Sequence, residues 1–190
     1  MSQGSPARAG LRRLSSVPRL LAVLGACGGA AGCGGAVSDR FPPACPHAGI
    51  LADAADLTRY RAGAGGHDLT DMVLDGRITG VSGVCSRNGR DTDVTVAVSM
   101  QLARGPAAGA RATEVPFFVA VSRNGEVLDK QIYRVVPGFA SNADRTRLTT
   151  DPVTLTLPTR PSQPGSSFDV VVGFQLTPDQ VAFNRRRGPR

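Results

Sequence analysis

The chain has 190 residues, enough for one ordinary domain preceded by a leader. Hydrophobic residues make up 41% and aromatics only 5%, with no Trp, so a core must be built mainly from Val, Leu, Ile and Ala. The net charge of +7 would suggest nucleic acid if it lay on one face, but eight arginines sit at the two ends: Arg8, Arg12, Arg13, Arg19, Arg185, Arg186, Arg187 and Arg190. Removing those 8 from the 22 basic residues leaves 14 against 15 acidic ones, a net of −1, so the body is nearly neutral and nucleic acid is not an expected partner.

Residues 1–19 carry four Arg and no acid, residues 20–26 read LLAVLGA, and small residues follow. A basic start, an apolar middle and a small-residue end are the parts of an export signal. The apolar run is too short and too rich in Gly to span a bilayer, which takes about 20 apolar residues. The leader ends in sequence resembling a bacterial lipobox, where small residues precede a cysteine that receives a diacylglyceryl group. LGAC offers Cys27 and AAGC offers Cys33. Spacing favours Cys33, since 13 uncharged residues separate it from Arg19 and only 7 separate Cys27. The expected organisation is an export signal over 1–32, an acylated Cys33 with a tether to residue 44, a domain over 45–187 and a disordered basic tail over 188–190. The lipobox resemblance implies attachment through acyl chains, and Gly34 after Cys33 implies the outer membrane, with the domain facing the periplasm.

GGAVSDRFPPA, residues 34–44, has no hydrophobic period and reads as the tether. ILADAADLTRYR, residues 50–61, leans weakly toward one or two helical turns, and AGAGGHD, residues 62–68, reads as a loop. The period then becomes two. Residues 72–84 read as a strand whose alternation slips around Gly76 and Gly80, a bulge signature. DTDVTVAVSMQL sets Val94, Val96, Val98, Met100 and Leu102 on one face. VPFFVAV, residues 115–121, has Pro116 as an edge or strand-start signal. Asn124-Gly125 suits a tight hairpin turn into EVLDKQIYRVV, and PVTLTL and SFDVVVGFQL alternate in the same way. PTRPSQPGSS, residues 158–167, reads as a surface connection.

Six strands without a strong helical period predict an antiparallel β-sandwich, with immunoglobulin-like architecture as the first expectation. The Trp and tyrosine-corner hallmarks of antibody domains are missing, so that likeness is architectural only. One sharp helical signal closes the chain. Thr177 suits an N-cap, Pro178 the first helical position, and Gln180 completes a capping box, with Leu176 and Val181 as a hydrophobic staple. This short helix should end near Arg187.

With Cys27 removed and Cys33 acylated, Cys45 and Cys85 remain as an even pair, and a disulfide between them is expected. Closing a loop of that length stabilises by about 4 kcal/mol on the chain-entropy model.

The search for catalytic chemistry finds little. A nucleophile needs a base within reach, and the bases on offer are His47 and His67, both in loop-like sequence. GVSGV around Ser82 lacks the second Gly of a nucleophile elbow and lies in a strand pattern. GAGGHD resembles a phosphate-binding turn, but Asp68 stands where the last Gly belongs. Cys45, His47, His67 and Cys85 do not have zinc-finger spacing, and a disulfide competes for the two thiols. Asp91 and Asp93 do not continue into a calcium loop and are expected to flank a hairpin. No cofactor, metal or catalytic residue is therefore expected. RRRGPR at the end is read as a solvated tail, with anionic lipid, lipopolysaccharide phosphates or nucleic acid as alternative partners, of which export disfavours nucleic acid.

The segments ILADAADLTRYRAG, GHDLTD, VSGVC and GFQLTPDQVAFNR together resemble an uncharacterised family of small Gram-negative bacterial lipoproteins. The resemblance covers most of residues 45–185. It implies export, acylation and a single compact domain, and it supplies no catalytic residues. The expected function is that of a non-enzymatic envelope lipoprotein that contacts another envelope protein. A binding module for a glycan, lipid or peptide is the alternative, and a hydrolase built on His47 or His67 ranks below it.

Overall fold

The computed structural model describes residues 45–64, 68–109, 113–160, 162–188 and 190. The leader, the tether, Cys27, Cys33 and His67 lie outside the described residues. The described residues form nine strands and one α-helix: β1 His47–Ile50, β2 Asp56–Tyr60, β3 Met72–Asn88, β4 Asp91–Arg104, β5 Val115–Arg123, β6 Glu126–Val135, β7 Arg145–Thr149, β8 Val153–Leu157, β9 Asp169–Phe174 and α1 Pro178–Arg187.

Two sheets make a sandwich. One has the order β1-β9-β5-β6; the other runs β2-β3-β4-β7, with β8 pairing β4 beyond the end of β7. All pairs are antiparallel except β1 with β9, which is parallel. The mainly-β, two-sheet expectation with a short C-terminal helix is met. The immunoglobulin strand order is not, because the last two strands of that fold share a sheet, whereas β8 and β9 here lie in different ones.

Period-two alternation builds the core. Val94, Val96, Val98, Met100 and Leu102 on β4 are fully buried against Phe168, Val170, Val172 and Phe174 of the other sheet, in one cluster. Each such side chain contributes about 1.5–3 kcal/mol of transfer free energy. The slip in β3 is a register shift between Ile78 and Gly80, so Leu74 and Ile78 before it and Val81 after it all face inward. Asn124 and Gly125 both have positive φ, 53° and 82°, as a two-residue hairpin turn of this hand requires. Pro116 is the second residue of β5, a strand start and not an edge, since β5 lies between β9 and β6.

Three strands were not legible. Residues 50–61 form the end of β1, a single 3-10 turn at Ala52–Ala54 and strand β2, so the expected helical character is confined to that one short turn. Here packing overrides propensity: β2 pairs with β3 and places Leu57 in the core opposite Gly76. The glycine is needed there, because a Cβ at Gly76 would stand 2.7 Å from Leu102 Cδ2. β1 and β7 are only four and five residues long, too short for a period to register.

Helix α1 starts as its sequence prescribes. Gln180 N–H donates to Thr177 Oγ1 at 3.3 Å, and Thr177 N–H donates back to Gln180 Oε1 at 2.9 Å. The helix lies against the β2 end of the sandwich. Asn184 is buried there, and its Nδ2 donates to the carbonyls of Asp53 (2.9 Å) and Asp56 (2.7 Å).

Candidate functional site

Cys45 and Cys85 are joined in a disulfide, with Cα atoms 5.9 Å apart. Cys45 stands two residues before the start of β1 in one sheet and Cys85 lies on β3 of the other, so the bridge staples the two layers beside the first strand. It also removes both thiolates from the zinc set. Among the described residues no group of three or more His, Cys, Asp or Glu is placed to hold a metal ion.

The other residues singled out in the sequence are dispersed. Ser82 is exposed on β3 opposite Ala97. Asp91 and Asp93 flank the β3–β4 hairpin as expected, and Asp93 accepts hydrogen bonds from Asn88 Nδ2 and Thr156 Oγ1, both at 2.8 Å. Asp68 caps a 3-10 turn at Leu69–Asp71 by accepting from Thr70 N–H, and that bond holds its carboxyl below the usual carboxylate range. His47 is exposed on β1. Strand register sets Ser122, Asp169 and His47 in one row across β5, β9 and β1, a combination that sequence spacing does not reveal. The order is wrong for nucleophilic catalysis. The carboxylate stands between hydroxyl and imidazole, leaving His47 two strands, roughly 9–10 Å, from Ser122 and beyond general-base reach.

Two surface features remain. The first is the open side of the sandwich, between β6 and β8. Among the described residues, each pairs with a neighbour along one edge only. Nearly all of β6 is exposed, with Val127, Leu128 and Ile132 among the large apolar side chains in contact with solvent. Behind it lies a cleft of about 440 Å³ that reaches the core, lined among others by Phe168, Leu155, Tyr133, Asp129 and Gln131. The cleft exists because the inward positions of β6 change character along the strand. Tyr133 stacks on Phe117 at 5.5 Å, but Gln131 and Asp129 are polar and do not close against the facing sheet. Partial burial and the Asp129 charge raise the Tyr133 phenol above its ordinary value.

The second feature is the C-terminal arginine cluster. Arg190 is not a solvated tail residue: its guanidinium contacts Asp75 with both terminal nitrogens, at 3.1 and 3.2 Å, and Asp56 at 3.0 Å. Burial lowers its proton affinity, but the hydrogen bonds it donates to Asp75 and Asp56, with the charges of those carboxylates, outweigh that and raise it overall. Arg187 reaches Asp56 at 3.4 Å and Arg185 reaches Asp53 at 2.7 Å. The terminal arginines thus fold back onto carboxylates of β2, β3 and the preceding turn. Nothing in local sequence signals this, because the pairs are more than 100 residues apart.

No protein-family model, curated protein or solved structure matches the chain. The residues and their geometry therefore carry the functional argument. Among the described residues no helix is long and apolar enough to cross a membrane.

Proposed function

We propose that this protein is a membrane-anchored envelope lipoprotein, held by acylated Cys33, whose β-sandwich is a protein-interaction module and not an enzyme. The lipobox-like leader and the family resemblance support the anchor. The Cys45–Cys85 bridge suits it, since disulfides persist in oxidising compartments. Two or more acyl chains give stable attachment. Gly34 supports the outer membrane, and the periplasm is the compartment in which such a bridge would form.

The observation that carries the interaction reading is β6, a ten-residue strand whose second edge is unpaired among the described residues and whose outward side chains include Val127 and Ile132. A strand with free backbone donors and acceptors and apolar flanking side chains accepts an extended segment of another protein by adding it to the sheet. The partner is taken to be another envelope protein. A photo-crosslinking residue at Val127 or Ile132, introduced in the native host, should give one and the same protein adduct from both positions. A control at Ala97, on the outer face of the opposite sheet, should give none. Equal labelling at all three positions, or none at β6, would contradict the reading.

A second reading, a binding module for a glycan, lipid or peptide, is favoured by the cleft behind β6, where the Tyr133 and Phe168 rings meet Asp129 and Gln131. Apolar walls with a few polar groups are what small-ligand sites share. Native mass spectrometry of the protein released from its own membranes separates the two: a co-purifying small molecule lost on Leu155→Arg substitution supports the second reading.

A further inference from the structure

We propose that the outer face of the β2-β3-β4-β7 sheet carries a binding site for a phosphate group, formed by Arg77, Arg145 and Arg190 around Ala103. Strand register builds this site. Thr58, Asp75, Ala103 and Arg145 form one row across the four strands, and Asp56, Arg77, Gln101 and Arg147 form the next. Every position in the two rows is polar or charged except Ala103. That one small side chain leaves a gap, and the gap is the floor of a cleft of about 260 Å³ walled by Arg77, Arg145, Arg190, Asp75 and Gln101.

Three guanidiniums line the cleft beside one carboxylate, Asp75, which already accepts from Thr58 Oγ1 and from two nitrogens of Arg190. The other carboxylate beside them, the buried Asp56, is shared by Arg77, Arg187 and Arg190. Arg145 makes no ion pair with any other described residue. The fold holds two of the three cations in place: Asp56 and Asp75 fix Arg190, and Asp56 and the Arg190 carbonyl fix Arg77. A guanidinium has five N–H donors. The contacts of Arg190 to Asp75 and Asp56 use three, so donors remain for a ligand. Planar, pre-positioned guanidiniums around a small concavity suit a tetrahedral oxyanion better than a hydrated lysine ammonium would, because they offer paired donors at fixed angles. Free phosphate and the phosphate of a lipid headgroup present this same chemistry to the cleft.

The test is calorimetric titration of the full chain in detergent with three probes: inorganic phosphate, glycerol 3-phosphate and the soluble short-chain lipid dihexanoyl phosphatidic acid. Saturable binding of at least one is expected, weakened about tenfold or more by Arg145→Gln and by Ala103→Leu, which fills the cleft without changing charge. Arg147→Gln, one row away and outside the cleft, should change affinity less than about twofold. None of the three substituted side chains makes an ion pair or side-chain hydrogen bond with another described residue, and the thermal melts of the variants should match the parent. Similar affinity for all three probes identifies the phosphate group alone as the ligand, and markedly tighter binding of the phosphatidic acid identifies a headgroup. Absence of saturable binding to every probe, or equal losses from Arg145→Gln and Arg147→Gln, would overturn the proposal.

Discussion

Asp56 is only 4% exposed yet carries a carboxylate, and three guanidiniums, Arg77, Arg187 and Arg190, reach it at 3.8, 3.4 and 3.0 Å. Removing one partner of a buried ion cluster costs roughly 3–5 kcal/mol, but these arginines are partly exposed and can rehydrate, so Asp56→Asn should cost about 2–3 kcal/mol in urea unfolding. Arg185 and Asp53 form a closer pair at 2.7 Å, but their side chains are 66% and 41% exposed. Water screens such a pair, and Arg185→Gln should change stability by less than about 0.5 kcal/mol. Burial, not distance, ranks the two.

Tyr133 provides a test of the cleft by pH. Partial burial and then the Asp129 charge raise its folded-state value above the ordinary 10.0. Folding therefore favours the protonated phenol. Below the unfolded value both states hold the proton and the contribution is complete. As pH rises past about 10 the unfolded chain loses its proton first, and stability falls until the folded phenol also ionises. In a Tyr60→Phe variant, where Tyr133 is the remaining tyrosine, ultraviolet titration should show phenolate forming above the ordinary range. Adding Asp129→Asn should move it part of the way back down. An ordinary titration unaffected by Asp129 would mean that the cleft is flooded and that Asp129 does not face the ring.

Among the elements, the disulfide and α1 fix the two ends of the domain. The bridge joins the start of β1 to β3 across the sandwich and closes a loop with a sequence separation of 40. A Cys45→Ala/Cys85→Ala double variant should lose about 2–4 kcal/mol, lowering Tm by roughly 5–15 °C in a chain of this size. Thr177→Ala removes the side-chain half of the capping box and should cost about 1 kcal/mol. These elements were legible because each has a local signature: an even cysteine count, a Thr-Pro-x-Gln start, an Asn-Gly turn. The β4 stripe was legible for the same reason, since every second residue is apolar over ten positions. β2 was not, because Ala-rich sequence leaves helix and strand nearly equal locally and the pairing with β3 decides. The arginine cluster and the Ser122–Asp169–His47 row were hidden more deeply, as both exist only once strand register is fixed.

At the scale of the sandwich domain, two layers, an inter-sheet staple and an open side leave β6 as an exposed edge strand among the described residues. The edge is partly guarded. A register shift between Val121 and Ser122 distorts the start of β6, and Lys130 lies over the Phe118 ring at 4.4 Å on its outer face. Bulges and lysines on an edge strand discourage indiscriminate pairing. The domain is thus suited to a partner that fits this edge, which agrees with the proposed interaction role.

The central claim is that the domain stands on a membrane through an acylated cysteine, and one measurement bears on it directly: the intact mass and N-terminal peptide mass of the protein extracted from its native membrane without reductant. The account predicts a chain that begins at diacylglyceryl-modified Cys33, has lost residues 1–32, and is two hydrogens lighter for the Cys45–Cys85 bridge. An unmodified N-terminus, or four free thiols on an uncleaved chain, would contradict the anchor and the compartment together.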